Sequence, residues 1–194
     1  MKEKEKMLNG EFYNTRDEEL QNRYHKTKEL LDRFNNSNSR DKELKEKLLK
    51  ELLGRCGKGV WIEKNFSCDY GENIYIGDDT FINYNCVLLD DNNITIGKNS
   101  LIGPNTQIYT AMHPVNPRER LNKENPIQSP YKTCSNAVFI GDNVWIGGSV
   151  CILPGVTIGD NCVIGAGSVV TKSIPKDSVA VGNPCRIIRS VYEK

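Results

Sequence analysis

The amino-acid sequence predicts a mainly β protein, a parallel β-helix built from six-residue repeats and preceded by a helical segment. Two contrasting patterns support this prediction. Residues 1–55 are rich in charge and carry apolar residues at helical spacing, whereas residues 74–182 carry an aliphatic residue at nearly every sixth position. A fixed short period is the signature of an architecture in which each repeat stacks on the next. The chain of 194 residues is long enough for one sizeable core with a small appendage.

Two helices are expected in the N-terminal segment. Thr15 and Glu18 have the spacing of a capping box, which predicts a helix from there to about Phe34. A second helix is expected from about Arg40 to Leu53, with Gly54 just beyond its end. The apolar residues of each helix share one face, namely Leu20, Tyr24, Leu30, Leu31 and Phe34 in the first and Leu44, Leu48, Leu49 and Leu52 in the second.

The repeat region is defined by aliphatic residues six positions apart, with one step of eight and one of 32. They are Ile76, Ile82, Leu88, Ile96, Ile102, Ile108, Ile140, Ile146, Ile152, Ile158, Ile164 and Val170. A small or β-branched residue stands two positions before most of them, and Cys86 and Cys162, in such positions, are expected to be packed thiols. Three repeats would close one triangular coil, with Gly, Asn or Asp accepting a positive φ at the corners. This spacing predicts about four coils, and it argues against an antiparallel sandwich, which would need period-2 alternation.

Composition excludes several classes of function. The net charge of +1 gives no sign of the basic face that nucleic-acid binding requires. No apolar run reaches the roughly 18 residues of a transmembrane helix, and the charged start 1-MKEKEKMLNGEF-12 does not resemble a signal peptide. The seven cysteines are odd in number and lack C-x-x-C spacing, so we expect a reducing, cytoplasmic location without a disulfide framework or a zinc site.

Several stretches resemble the hexapeptide-repeat acyltransferases, most closely the maltose and galactoside O-acetyltransferase branch. The matching stretches are 69-DYGENIYIG-77, 83-NYN-85, 90-DD-91, 113-HPV-115, 139-FIGDNVWIGGSV-150, 154-PGVTIGDNCVIGAGSVVTKSIP-175 and 181-VGNPCRIIR-189. The resemblance implies a left-handed parallel β-helix and a homotrimer with active sites between subunits. It also implies acetyl-CoA as donor and a sugar hydroxyl as acceptor, with no metal, nucleic acid or membrane partner. We expect a helical acceptor-side segment at 1–58, a β-helix domain at 59–182 with an excursion at 109–137, and a C-terminal cap at 183–194.

The resemblance assigns the catalytic roles to His113 and Gly148. Acetyl transfer requires a base for the attacking hydroxyl and a donor for the carbonyl oxygen, which becomes negative. His113 is the only histidine of the repeat region and would be the base, whereas His25 is expected to be a surface or packing residue. The main-chain amide of Gly148 would be the oxyanion donor. The alternative for His113 is a solvated loop residue without a catalytic role, and the alternative for Gly148 is an ordinary corner of the repeat.

Binding residues follow from the same resemblance. Asp69, Asn83 and Asp91 match acceptor contacts, although Asn83 is also a normal residue for a repeat corner. A further acidic contact aligns loosely with residues 14–17. Besides Gly148, the coenzyme A contacts would be Ala166, Thr171, Lys172, Arg186 and Arg189. Alternatively, Ile187 and Ile188 cap the open end of the β-helix while the arginines stay solvated.

Trp145 should face outward, either in a subunit interface or in the pantetheine groove.

Other functions stay open at this point. A drug acetyltransferase of the chloramphenicol type shares the fold but generally lacks the charged helical segment. A trimeric scaffold without catalysis is a third class. A β-helical carbonic anhydrase is rejected, because its zinc site needs three histidines and the chain has 2.

Overall fold

The computed structural model describes residues 1–122 and 128–193. The helices are α1 (Glu3–Leu8), α2 (Glu18–Asn35), α3 (Lys42–Leu52) and α4 (Pro117–Arg120). The strands are β1 (Arg55–Cys56), β2 (Trp61–Ile62), β3 (Ser67–Cys68), β4 (Ile74–Ile76), β5 (Phe81–Ile82), β6 (Val87–Leu89), β7 (Ile94–Ile96), β8 (Leu101–Ile102), β9 (Gln107–Tyr109), β10 (Ala111–Met112), β11 (Cys134–Ser135), β12 (Val138–Ile140), β13 (Trp145–Ile146), β14 (Cys151–Ile152), β15 (Thr157–Ile158), β16 (Val163–Ile164), β17 (Val169–Val170), β18 (Ser178–Val181) and β19 (Arg186–Ser190). Residues 123–127 of the predicted excursion and Lys194 of the predicted cap lie outside the described residues.

The strands form three flat faces around one interior. Face 1 has the order β1-β4-β7-β12-β15, face 2 the order β2-β5-β8-β13-β16-β18, and face 3 the order β3-β6-β9-β14-β17. Consecutive strands of the chain lie on successive faces, and each pairs in parallel with the strand of the next coil. β19 closes the far end of face 2 by pairing antiparallel with β18. The parallel β-helix predicted from the sequence is confirmed.

The interior is filled by the residues that define the repeat. All twelve predicted aliphatic residues are buried, and they stack in register from coil to coil, as Ile96 does on Ile76 and Ile140. The small residues that precede them are buried as well, including Cys86 and Cys162. Where they are polar, they bond to the neighbouring coil, as the Thr80 hydroxyl does by donating to the Gly97 carbonyl at 2.7 Å.

The predicted number of about four coils is wrong, because five complete coils and part of a sixth are present. The first coil has Cys56, Ile62 and Cys68 inside, which keep the period of six but are not a series of aliphatic residues. The last turn begins at Ile174, which bridges to Ile158. A search for aliphatic residues alone therefore misses both ends of the β-helix.

The N-terminal helices close one end of the β-helix and share its core. Leu30, Leu31, Phe34, Leu48, Leu49 and Leu52 belong to the same buried cluster as the repeat aliphatics. The predicted capping box at Thr15 is wrong in position: Asp17 is the N-cap of α2, and its carboxylate accepts from the amides of Glu19 and Leu20. Asp41 caps α3 in the same way. The short α1 was not predicted, because six residues are too few for a periodic signal.

The opposite end of the β-helix is not capped by Ile187 and Ile188, which was the alternative interpretation of the C-terminal stretch. Ile187 and Ile188 are 48% and 58% exposed, so they do not cap the interior. Ala180 and Cys185 are the buried residues at this end. The physical reason is that β19 extends face 2 as an edge strand and leaves both isoleucines outside the interior.

Candidate active site

The predicted site residues on the β-helix gather at two of its three corners. The 3–1 corner, which follows the face 3 strands, carries Asp69, Asp91, His113, Thr171 and Lys172. The 2–3 corner, which precedes face 3, carries Asn83, Gly148 and Ala166. The two groups thus lie along the two edges of face 3.

His113 is placed by a two-stranded ribbon that leaves the 3–1 corner. β10 ends at Met112 and pairs antiparallel with β11, so the chain returns beside its point of departure. The Nδ1 atom of His113 lies 2.9 Å from the carbonyl oxygen of Lys132. Because a carbonyl can only accept, this contact assigns the proton to Nδ1 and leaves the lone pair on Nε2. Nε2 of the imidazole therefore has a lone pair that can accept a proton.

An open cleft of about 490 Å³ surrounds this ring. Its lining consists of Phe12, Met112, His113, Pro114, Val115, Glu119, Lys132 and Cys134, which we call the histidine cleft. The Tyr131 ring stands edge-on to the imidazole, with centroids 6.3 Å apart. The histidine cleft is thus built by the excursion and by Phe12, which lies in the chain between α1 and α2, and not by the repeats.

A second cleft, of about 400 Å³, brings together two predicted acceptor residues. It is lined by Thr15, Leu20, Gln21, Tyr24, His25, Asp69, Tyr70 and Asp91, and we call it the acidic cleft. The Asp69 carboxylate lies 3.6 Å from the Lys28 ammonium, while burial raises the pKa of Asp69. His25, expected to be a surface or packing residue, lies in the wall of this cleft, because α2 lies against the first coil.

Asp91 of the acidic cleft is held from the N-terminal segment. Its carboxylate is buried and accepts a hydrogen bond of 2.5 Å from the Tyr13 hydroxyl. Burial raises the pKa of Asp91 to about 6, although the Tyr13 hydroxyl and the nearby His113 act to lower it. Tyr13, which sequence reasoning missed, lies where the chain bridges to Thr133 of the excursion.

Asp90 is a buried carboxyl that the sequence did not distinguish from Asp91. Its Oδ1 atom accepts from the amides of Asp69 at 2.9 Å and Tyr70 at 2.8 Å. Its Oδ2 atom is buried and has no hydrogen-bond partner among residues 1–122 and 128–193. Burial raises the pKa of Asp90 to about 8, so the carboxyl is largely protonated at neutral pH. The only signal in the sequence is the Asp pair within the eight-residue step.

Gly148 presents a main-chain amide that the β-helix does not use. The amides on either side are bonded, from Gly147 to the Ile164 carbonyl and from Ser149 to the Pro104 carbonyl. In the part of the chain that is described, the Gly148 amide donates to no acceptor. At the corner between faces 1 and 2, the equivalent amides of Lys98 and Asp142 donate to aspartate side chains of the next coil. The 2–3 corner lacks such a carboxylate, so this N–H stays available.

The other residues of the 2–3 corner are less distinctive. The Asn83 side-chain oxygen accepts from the Tyr84 amide at 2.8 Å, which is the local bonding expected of a corner asparagine. Ala166 is exposed. Five residues separate Gly148 from the 3–1 corner, and at about 3.3 Å per residue the two corners are roughly 15 Å apart. Gly148 thus lies at the opposite edge of face 3 from the corner where the His113 excursion leaves the β-helix.

The candidate coenzyme A residues near the far end are exposed. Thr171 and Lys172 follow β17, and Arg186 and Arg189 lie on β19. Within the described part of the chain, the guanidinium groups bond only to main-chain carbonyls, among them Cys185 at 2.8 Å and Ser190 at 3.1 Å. Neither arginine forms an ion pair within the described ranges. Both remain available to an anionic partner.

Trp145 faces outward, as predicted, and is 57% exposed. It lies in a row on face 2 whose members are in register from coil to coil. The row comprises Trp61, Phe81, Leu101, Trp145 and Val163. Face 2 thus presents an apolar strip to the outside.

Residues 1–122 and 128–193 contain neither a metal-binding cluster nor a membrane-spanning helix. No three histidine, cysteine, aspartate or glutamate side chains there are arranged to hold a metal ion. No helix among them is both long enough and apolar enough to cross a membrane.

The repeats, the capping helices and the histidine-bearing excursion define a hexapeptide-repeat protein. The model of the maltose acetyltransferase hexapeptide capping motif matches residues 6–57, and that of the bacterial transferase hexapeptide (six repeats) matches residues 137–172. The chain belongs to the hexapeptide-repeat acetyltransferases, in the branch of the maltose and galactoside O-acetyltransferases.

Three relatives illustrate this membership. The galactoside O-acetyltransferase of Escherichia coli K12 is 41% identical over 190 residues, covering 98% of this chain and 90% of the relative. The crystal structure of a maltose O-acetyltransferase from Clostridium difficile 630 has a TM-score of 0.93 at 49% identity, covering 100% and 99% of the two chains. A hexapeptide-repeat acetyltransferase from Vibrio cholerae, complexed with acetyl coenzyme A, has a TM-score of 0.88 at 40% identity, covering 100% of both chains.

Proposed function

We propose that this protein transfers the acetyl group of acetyl-CoA directly to a sugar hydroxyl, with His113 as the general base. The observation that carries the proposal is the orientation of His113, whose Nδ1 faces the Lys132 carbonyl and whose Nε2 has no hydrogen-bond partner among residues 1–122 and 128–193. His113 is also near enough to Asp91 of the acidic cleft to influence its pKa. The names of the relatives, which act on maltose and galactosides, support a sugar as the acceptor. The bound acetyl coenzyme A in one relative supports the donor.

The chemistry follows from the two groups at the corners. Nε2 of His113 takes the proton of the acceptor hydroxyl as its oxygen attacks the thioester carbonyl. The carbonyl oxygen becomes negative and accepts from the free Gly148 amide. The C–S bond then breaks, and the proton on His113 passes to the departing thiolate, which leaves as the coenzyme A thiol. The imidazole returns to its starting state without a covalent enzyme intermediate.

The separation of His113 and Gly148 supports a homotrimer. When the 3–1 corner of one chain meets the 2–3 corner of a second copy, the two groups can face one cleft. Such a contact joins two different surfaces and closes as a ring, for which three copies suit a triangular β-helix. The apolar strip on face 2, with Leu101 51% and Trp145 57% exposed, supplies surface to bury in this contact.

The acidic cleft is the proposed acceptor site. Asp69 and Asp91 are carboxylates that can accept from sugar hydroxyls, and Asn83 of a neighbouring copy would add an amide. The exposed Ala166, Thr171 and Lys172 would contact the pantetheine arm, with Arg186 and Arg189 on the phosphates. The seven free cysteines support the cytoplasmic location that the sequence predicts.

Release of the coenzyme A thiol tests the reaction. Acetyl-CoA is offered with a panel of mono- and disaccharides, with chloramphenicol as the competing acceptor, and without an acceptor. We expect turnover with at least one sugar and none with chloramphenicol. Turnover with chloramphenicol alone would indicate a drug acetyltransferase, and no turnover with any acceptor would favour a scaffold.

His113→Asn tests the base. Asparagine has no basic nitrogen, so kcat should fall by about 10²–10⁴ while the affinity for acetyl-CoA persists. His25→Asn is the matched control, because it removes the other histidine from the wall of the acidic cleft; it should retain far more of kcat. A His113→Asn enzyme with nearly full kcat would exclude His113 as the base.

Gly148→Pro tests the oxyanion donor and has a built-in control. Proline already occupies the equivalent corner position of the preceding coil as Pro104, so the corner accommodates it. The variant lacks the amide N–H, and kcat should fall by about 10²–10³. Gly148→Ala keeps the N–H and should lose much less; its Cβ would lie 3.3 Å from the Pro104 carbonyl oxygen, a tight contact that proline at this position would share. Equal losses in both variants would point to a steric effect.

A further inference from the structure

The end of the β-helix that the helices cover contains a pocket unrelated to either cleft of the proposed site. Its volume is about 320 Å³, within the range of small-molecule sites. Phe34, Leu49, Val60 and Trp61 form apolar walls, and Lys42, Lys45 and Lys58 also line it. This N-terminal pocket therefore combines flat apolar walls with positive charge.

Lys45 is the unusual group in the N-terminal pocket. The residue is only 6% exposed, which is unusual for a lysine. Its Nζ atom lies 5.3 Å from the Trp61 ring centroid and 5.7 Å from that of Phe34. Among residues 1–122 and 128–193, no carboxylate pairs with it and no oxygen accepts from it. The stem of Lys45 is thus buried while its ammonium opens into the pocket, where its donors are free to bind an anion.

The surrounding acids are engaged elsewhere. Glu46 lines the pocket, but its carboxylate forms an ion pair with Lys50 at 2.6 Å. Glu63 accepts from the Trp61 indole nitrogen at 3.0 Å. Asp78 accepts from the Lys58 amide at 2.8 Å. These carboxylates, together with that of Asp79 beside Gly59, border the pocket, but none of them contacts the Lys45 ammonium within the described ranges.

The first coil adds a main-chain donor. At the same corner of later coils, the amides of Asp79 and Asn99 donate to the carbonyls of the preceding coil. Gly59 holds this position in the first coil, with φ of 69°, and no coil precedes it. Its amide makes no main-chain hydrogen bond within the described ranges. The amide faces the end of the β-helix, where the pocket lies.

We propose that the N-terminal pocket binds a small aromatic carboxylate, with the carboxylate on Lys45 Nζ and the Gly59 amide and the ring against Trp61. The apolar walls select a flat, apolar body, and the Lys45 ammonium selects one anionic group. The site lies between α3 and the first coil and shares no lining residue with the histidine cleft or the acidic cleft.

Tryptophan fluorescence tests this site because the chain has only 2 tryptophans. Trp145→Phe leaves Trp61 as the single reporter, and the oligomer is checked by size-exclusion chromatography. Benzoate should change its emission in a saturable way, whereas benzyl alcohol, which has the same ring without the charge, should bind at least tenfold more weakly. In Trp61→Phe, where Trp145 is the reporter, benzoate should give no saturable change.

Lys45→Met in the Trp145→Phe background removes the charge but keeps a long apolar side chain. Benzoate affinity should fall at least tenfold, whereas Lys47→Met, on the exposed side of the same helix, should leave it unchanged. Equal binding of benzoate and benzyl alcohol, or unchanged binding in folded Lys45→Met, would overturn the proposal. If Lys45→Met does not fold, the comparison of the two ligands decides the matter alone.

Discussion

Asp90→Asn should make the protein more resistant to alkaline conditions. The wild-type carboxyl is fully buried, and its pKa of about 8 lies far above the usual value of 3.8. The folded protein therefore holds a proton that the unfolded chain releases above about pH 4. Because the folded state binds more protons, the free energy of unfolding falls as the pH rises from about 4 to about 8.

The structure sets the size of this effect. One unit of difference between the folded and unfolded pKa corresponds to about 1 kcal/mol. A rise in pH from about 4 to about 8 can therefore lower the unfolding free energy of the wild type by up to a few kcal/mol. Asparagine keeps the oxygen that accepts from the Asp69 and Tyr70 amides, at 2.9 and 2.8 Å. Its amide nitrogen replaces Oδ2, which has no partner in the described structure, and this adds a cost of about 1–3 kcal/mol at every pH.

The assay is urea unfolding of both proteins at pH 5, 6.5 and 8, at one protein concentration because subunit association also contributes. The difference in unfolding free energy, variant minus wild type, should become more favourable to the variant by a few kcal/mol from pH 5 to pH 8. Asp32→Asn, on the exposed side of α2, controls for the loss of one charge. A difference that stays constant with pH would refute a protonated Asp90.

Two further predictions concern activity. Tyr13→Phe removes a hydrogen bond that lowers the Asp91 pKa, so this pKa should rise above about 6. If Asp91 binds the acceptor as a carboxylate, the acidic limb of the pH profile of kcat/KM should move to higher pH, and an unmoved limb would contradict that role. Replacing Arg186 and Arg189 together by Gln should raise the KM for acetyl-CoA at least tenfold, since a hydrogen bond to a charged group contributes about 1.5–3 kcal/mol. The kcat should change little, and Arg33→Gln on α2 is the control; an unchanged KM would exclude the arginines from the phosphate site.

The repeat was readable from the sequence because it is local. Every sixth residue must be apolar for a three-sided coil to close. The burial of Ile96 and Ile140 can therefore be predicted from their spacing alone. The ends were less readable, because Cys56 and Cys68 occupy inward positions without being aliphatic. The helix start was misplaced for a related reason: Thr15 and Asp17 are both suitable caps, and only the packing of α2 selects Asp17.

The sequence by itself determined the repeat, the outward position of Trp145 and, through the resemblance, the family. Tertiary structure decided the environment of each candidate group. It oriented His113 through the Lys132 carbonyl, separated Asp90 from Asp91 by their hydrogen bonds, and left the Gly148 amide without an acceptor in the described part of the chain. These properties depend on contacts between residues far apart in the chain, and hydrogen bonding and desolvation act through those contacts and not through spacing in the sequence.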